Sequence, residues 1–85
     1  MKPIIKNRIE RILRKHFLVF NASILSNNSR LSWLGLTDLE KLELMFYLEE
    51  DFAIDLRNVS GADLRTVGDV VRCVENRLLL AEVAA

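Results

Sequence analysis

The chain has one cysteine, one proline, one histidine and three glycines in 85 residues. Each scarcity excludes something. A lone Cys73 can form neither an intramolecular disulfide nor a cysteine-rich zinc site, and a reducing, cytoplasmic setting is the natural expectation. A lone His16 cannot assemble a histidine metal cluster or a catalytic triad. Its place near the end of a helical stretch suits a cation at a helix C-terminus. Gly35, Gly61 and Gly68 lie far apart and make no phosphate-cradling loop. No apolar run approaches the roughly 20 residues that span a bilayer. Lys6, Arg8, Glu10 and Arg11 interrupt any signal-peptide core, leaving only a superficial likeness to an amphipathic transit segment. Net charge is also lacking: twelve basic and twelve acidic residues balance. That argues against wholesale nucleic-acid binding, which usually needs a clear basic excess. It also leaves little repulsion to oppose weak self-association.

What is present is apolar and periodic. Residues of the apolar classes make up 51% of the chain, a dense supply for the one domain, 1–85, that this length accommodates. Ile5, Ile9, Ile12, Leu13, Phe17 and Phe20 recur at helical spacing, predicting a first helix from Lys2 to about Phe20 with Pro3 harmless in its first turn. Asn and Ser crowd 21–30 and predict a loop. Leu31–Leu36 should fold back onto the core with Trp33 as a plug. Thr37-Asp38-Leu39-Glu40 has the form of a capping box, so a second helix should run from near Thr37 to near Phe52, with Asp38 favoured by the helix dipole. Ser60–Asp63 suggests a short turn or one-turn helix. A last helix, about Val67 to Leu80, opens on Thr66-Val67-Gly68-Asp69 and carries the stripe Val67, Val70, Val71, Val74 and Leu78. Cys73 borders that stripe and reads as a packed thiol, since no second thiol or imidazole supports it.

Charge is segregated. The first helix holds Lys2, Lys6, Arg8, Arg11, Arg14 and Lys15 against Glu10; the second holds Asp38, Glu40, Glu43, Glu49, Glu50 and Asp51 against Lys41. The second helix also has two apolar stripes on nearly opposite sides: Leu39, Leu42 and Phe46, bordered by Glu43, Glu49 and Glu50, and Leu44, Met45, Leu48 and Phe52. One stripe serves a core. The other must be covered by a further element or be offered to a partner.

The segment Gly35–Leu56 resembles the signature region of the acyl carrier proteins, which typically read G-x-D-S-L, then E-L-x-x-x-L-E-E-x-F. Glu43-Leu44, Leu48-Glu49-Glu50 and Phe52 match in place, and Leu64–Asp69 is similar to the family's I-x-T-V-G-D entry to its last helix. The resemblance covers the second half of the chain to about Glu75; the first helix fits by pattern alone. It implies an all-α, four-helix bundle with a long loop after helix one and a short third helix. It also implies a non-enzymatic protein whose partners are enzymes of an acyl-transfer or lipid pathway, docked through the acidic second helix. The implied docking residues are Leu39, Leu42, Glu43, Phe46, Glu49 and Glu50. The family carries 4'-phosphopantetheine on a serine at the start of that helix. Here that position is Asp38, preceded by Thr37, and a carboxylate cannot act as the hydroxyl nucleophile, so no cofactor is expected. Thr37 is engaged in capping, and Ser32 precedes Trp33-Leu34-Gly35 rather than a helix start. The coherent Thr37–Glu40 pattern speaks for a native Asp38.

The expected function is therefore an armless docking module of a fatty acid, polyketide or lipid pathway. The alternatives are a genuine carrier whose serine was replaced or whose arm sits elsewhere, and a small basic-helix domain binding membrane or nucleic acid. No metal site is expected. The basic first helix leaves open weak contact with a membrane surface.

Overall fold

A computed structural model describes the backbone of residues 2–17 and 25–84, and the side chains of 4–17 and 25–80. Three α-helices, α1 (Lys2–His16), α2 (Asp38–Phe52) and α3 (Val67–Ala84), pack together with a 3-10 turn at Gly61–Asp63. That single turn stands where the short third helix was expected. Among the described residues the β-structure is one isolated antiparallel bridge, Arg30 to Thr66.

The α1 periodicity acts as expected: Ile5, Ile9, Ile12 and Leu13 are buried, as is Phe17 just beyond the helix. The opposite face exposes Asn7, Arg11, Arg14 and Lys15. The regular helix stops at His16, short of the expected Phe20, although the Phe17 N–H still reaches the Leu13 carbonyl (3.1 Å). Phe20 and Asn21 lie outside the described residues. Beyond the shared core, Arg8 and His16 tie α1 to α2. Arg8 pairs with Asp51 (2.8 Å) while its guanidinium covers the Phe52 ring at 4.1 Å. His16 stacks on Tyr47, with ring centroids 3.8 Å apart.

The segment from Leu25 to Leu36 is irregular yet closely tied to α3. Buried Leu25, Leu31 and Leu36 anchor it in the core. The Ser29 and Asn27 carbonyls accept the N–H groups of Val67 and Gly68 (both 2.9 Å), which open α3 and have no partner within the helix. Gly68 is required here, because a Cβ would stand 2.9 Å from the Asn27 oxygen. Trp33 is not a core plug: it is 79% exposed, with the Arg30 guanidinium 5.3 Å from its ring. Leu31 and Leu36 take the interior, and the turn between them directs Trp33 outward. Gly35, at φ +92°, supplies the left-handed residue that lets this turn close, with Leu36 N–H on the Leu31 carbonyl (3.1 Å).

α3 runs to Ala84, beyond the expected end near Leu80, since no glycine or proline follows Leu80 to stop it. Its stripe Val67, Val70, Val71 and Val74 is buried, with Leu78 packed against the core edge. These residues meet Ile9, Leu13, Leu44, Leu48, Leu56 and Leu64 in one apolar cluster that contains no buried polar residue among those described. Each such aliphatic side chain contributes about 1.5–3 kcal/mol of burial.

Candidate functional site

The start of α2 is built by local chemistry. Thr37 is extended (φ −79°, ψ 172°), so its side chain turns back over the first helical turn. The Glu40 N–H donates to Thr37 Oγ1 (3.2 Å), and the Thr37 N–H donates to Glu40 Oε1 (3.1 Å). The Thr37 hydroxyl also donates to that carboxylate (3.1 Å), so it both accepts and donates within the capping box. Asp38 is the first residue of α2, exposed beside this cap. Ser32 is exposed on the preceding turn.

Along α2 the two stripes separate as the 3.6-residue period requires. Leu44, Met45, Leu48 and Phe52 are buried, whereas Leu39, Leu42 and Phe46 are 67%, 51% and 66% exposed. Three large apolar side chains on successive turns thus form one outward patch. Glu43 and Glu50 are exposed beside it on the helix surface. Glu49 differs from the rim role expected of it. It is half-buried, and its Oε2 accepts the Leu56 N–H at 2.9 Å, pinning the segment after α2 to the helix. A carboxylate so held is first a structural group, although it still borders Leu42.

Two neighbours of this face escaped sequence reasoning. A shallow cleft of about 250 Å³ beside the patch is lined by Leu42, Met45, Phe46 and Glu49 with Leu56, Arg57 and Val59 from the following loop. Arg57 is positioned by Asp55, which accepts from both its backbone N–H (2.9 Å) and its guanidinium (2.8 Å). Those hydrogen bonds hold the Asp55 carboxyl below its ordinary pKa. The i,i+2 spacing of Asp55 and Arg57 was the available signal, but only the fold places Arg57 against the patch.

Elsewhere the chemistry is structural. Asp69 is the third residue of α3, and its Oδ2 accepts the N–H groups of Arg65 (3.0 Å) and Thr66 (3.1 Å). Thr66 Oγ1 in turn accepts the Asp69 N–H (3.1 Å), a reciprocal cap like that on α2. Arg72 takes the other carboxylate oxygen. Desolvation opposes the Asp69 charge, but the two backbone donors, Arg72 and the Thr66 hydroxyl outweigh it and hold its pKa down. The Cys73 thiol is half-buried, and burial pushes its pKa up, which suppresses the reactive thiolate. No cluster of three potential metal ligands occurs among the described residues.

No protein-family model matches the chain. The acyl carrier protein of Phenylobacterium zucineum (strain HLK1) is 28% identical over 71 residues, spanning 84% of this chain and 90% of that protein. The crystal structure of an acyl carrier protein from Thermotoga maritima superposes with a TM-score of 0.83 at 15% identity, covering 94% of this chain and 93% of that one. The second likeness concerns the fold alone.

Proposed function

We propose that the chain is a docking member of the acyl carrier protein family, recognised by enzymes of acyl-chain metabolism but carrying no phosphopantetheine arm of its own; its similarity to the Phenylobacterium zucineum acyl carrier protein and the shared fold support this reading. The family consists of non-enzymatic carriers, and this chain shows the fold. The observation that carries the docking reading is the exposed Leu39, Leu42 and Phe46 patch on a helix whose opposite side fills the core. Glu43 and Glu50 beside it would steer a basic partner site, while the apolar patch supplies the holding energy. The partner is accordingly an enzyme surface with an apolar recess bordered by Lys or Arg.

The armless reading rests on Asp38. By the resemblance of Gly35–Leu56 to the family's signature, it would occupy the attachment position, and its carboxylate cannot attack the pyrophosphate of coenzyme A as a hydroxyl does. The hydroxyl of Thr37 is engaged by Glu40 on both its donor and acceptor sides. Intact mass after incubation with coenzyme A and a broad-specificity phosphopantetheinyl transferase tests this reading. No gain is expected for the chain as it stands, and Asp38→Ser should acquire one arm. A gain of one arm by the unaltered chain overturns it.

A further inference from the structure

On another side of α2's first turns, three cations from three separate segments meet. Arg30, Ser32, Lys41, Arg65, Thr66 and Asp69 line one cleft of about 330 Å³. Its walls are fixed by backbone. Arg30 bridges Thr66, and Leu31 N–H donates to the Arg65 carbonyl at 2.9 Å. Lys41 is carried in on α2, its N–H on the Thr37 carbonyl at 3.0 Å. The ion pairs among the described residues join Arg8 to Asp51, Arg57 to Asp55 and Arg72 to Asp69, so Arg30, Lys41 and Arg65 take part in none of them. Arg30 instead lies against Trp33, a contact that restrains the guanidinium and leaves its N–H groups available.

The single carboxylate of the cleft does not answer this charge. Asp69 is occupied by two backbone N–H groups and by Arg72. Three like charges around one hollow repel one another, and a bound dianion turns that cost into attraction. Guanidinium groups match a phosphate bidentately, a lysine adds a point charge, and the Ser32 hydroxyl adds a neutral donor. A cleft of this size lies near the lower end of the roughly 300–1,000 Å³ typical of small-molecule sites.

We propose that Arg30, Lys41 and Arg65 form a phosphate-binding cleft that takes a small phosphomonoester. The site is separate from the Leu39, Leu42 and Phe46 patch and does not depend on the docking role.

Amide chemical shifts, followed while inorganic phosphate and then glycerol 3-phosphate are added at constant ionic strength, test the proposal. Saturable shifts are expected at Arg30, Ser32, Lys41, Arg65 and Thr66. Arg30→Ala combined with Arg65→Ala should weaken binding at least tenfold, and the milder Lys41→Gln about threefold, with the remaining spectrum unchanged. Arg11→Ala with Arg14→Ala, on the exposed face of α1, should leave the affinity as it was. Flotation with phosphatidylcholine vesicles containing phosphatidic acid separates the two sources of the group. Binding to vesicles that is lost in the Arg30/Arg65 variant assigns the phosphate to a lipid headgroup, while saturation by glycerol 3-phosphate without flotation assigns it to a soluble ester. Either result supports the cleft. Shifts that fail to saturate with both soluble probes and no flotation, or equal weakening by the α1 variant, overturn it.

Discussion

Single side chains at the two helix starts govern local stability. Thr37→Ala removes the acceptor of the Glu40 N–H and should cost about 0.5–2 kcal/mol, the usual range for an N-cap. A urea midpoint equal to that of the parent would mean that α2 does not rely on this cap. Asp69 adds a pH dependence whose sign follows from its lowered pKa. The ionised carboxylate favours the folded state, so its stabilisation is present above the ordinary carboxylate pKa. It disappears as the pH falls through the lower folded value. Asp69→Ala should therefore destabilise by about 1–3 kcal/mol at neutral pH, as loss of a charged hydrogen-bond acceptor does. The gap between the two melting curves should narrow on acidification below the carboxylate range. A gap that stays constant with pH would assign the effect to packing alone.

The elements show where sequence patterning acts through neighbours. The two stripes of α2 predict opposite outcomes for similar truncations. Leu48→Ala empties a fully buried site and should cost about 2–5 kcal/mol. Phe46→Ala removes an exposed ring and should change stability by no more than about 0.5 kcal/mol. Thermal melts of the two variants decide the matter, and equal destabilisation would reverse the assignment of the faces. The C-terminus of α2 offers a gain instead. Ala53 adopts φ 55° and ψ 48°, the left-handed conformation that an L-residue other than glycine enters at a cost of about 1–2 kcal/mol. Ala53→Gly relieves this strain while adding freedom to the unfolded chain, so a net stabilisation of about 0.5–1 kcal/mol is expected in urea unfolding.

Across the whole molecule, neutrality conceals a separation of charge. The exposed stripe of α1 carries Arg11, Arg14 and Lys15, and α2 carries Glu43 and Glu50. Such a molecule has no net field at long range, but it orients as it approaches a charged partner. Reversing Glu43 and Glu50 together to Lys should slow association with a basic partner enzyme and flatten its dependence on salt. Phe46→Ala should chiefly speed dissociation. Surface plasmon resonance at two ionic strengths separates these effects, and an unchanged association rate for the reversed variant would remove the steering role. Glu49 is left out of this pair because its bond to the Leu56 N–H would mix a folding defect into the measurement.

Much of this protein was legible in the chain itself because the responsible interactions are short-range. The Thr37–Glu40 cap, the 3-10 turn after Ser60, the Thr66–Asp69 entry to α3 and the two faces of α2 all involve residues within a few positions of one another. A helix's own period then decides which side chains share a face. What the fold alone decided involves residues far apart. Trp33 faces solvent because Leu31 and Leu36 occupy the interior beside Leu64 and Val67. Glu49 is withdrawn from the acidic rim because the chain returns to place the Leu56 N–H against it. Arg30, Lys41 and Arg65 share a cleft because a backbone bridge brings the segment before α3 beside the turn before α2. Periodicity and capping chemistry carry no information about such meetings, since they are set by how separate elements close over a common core.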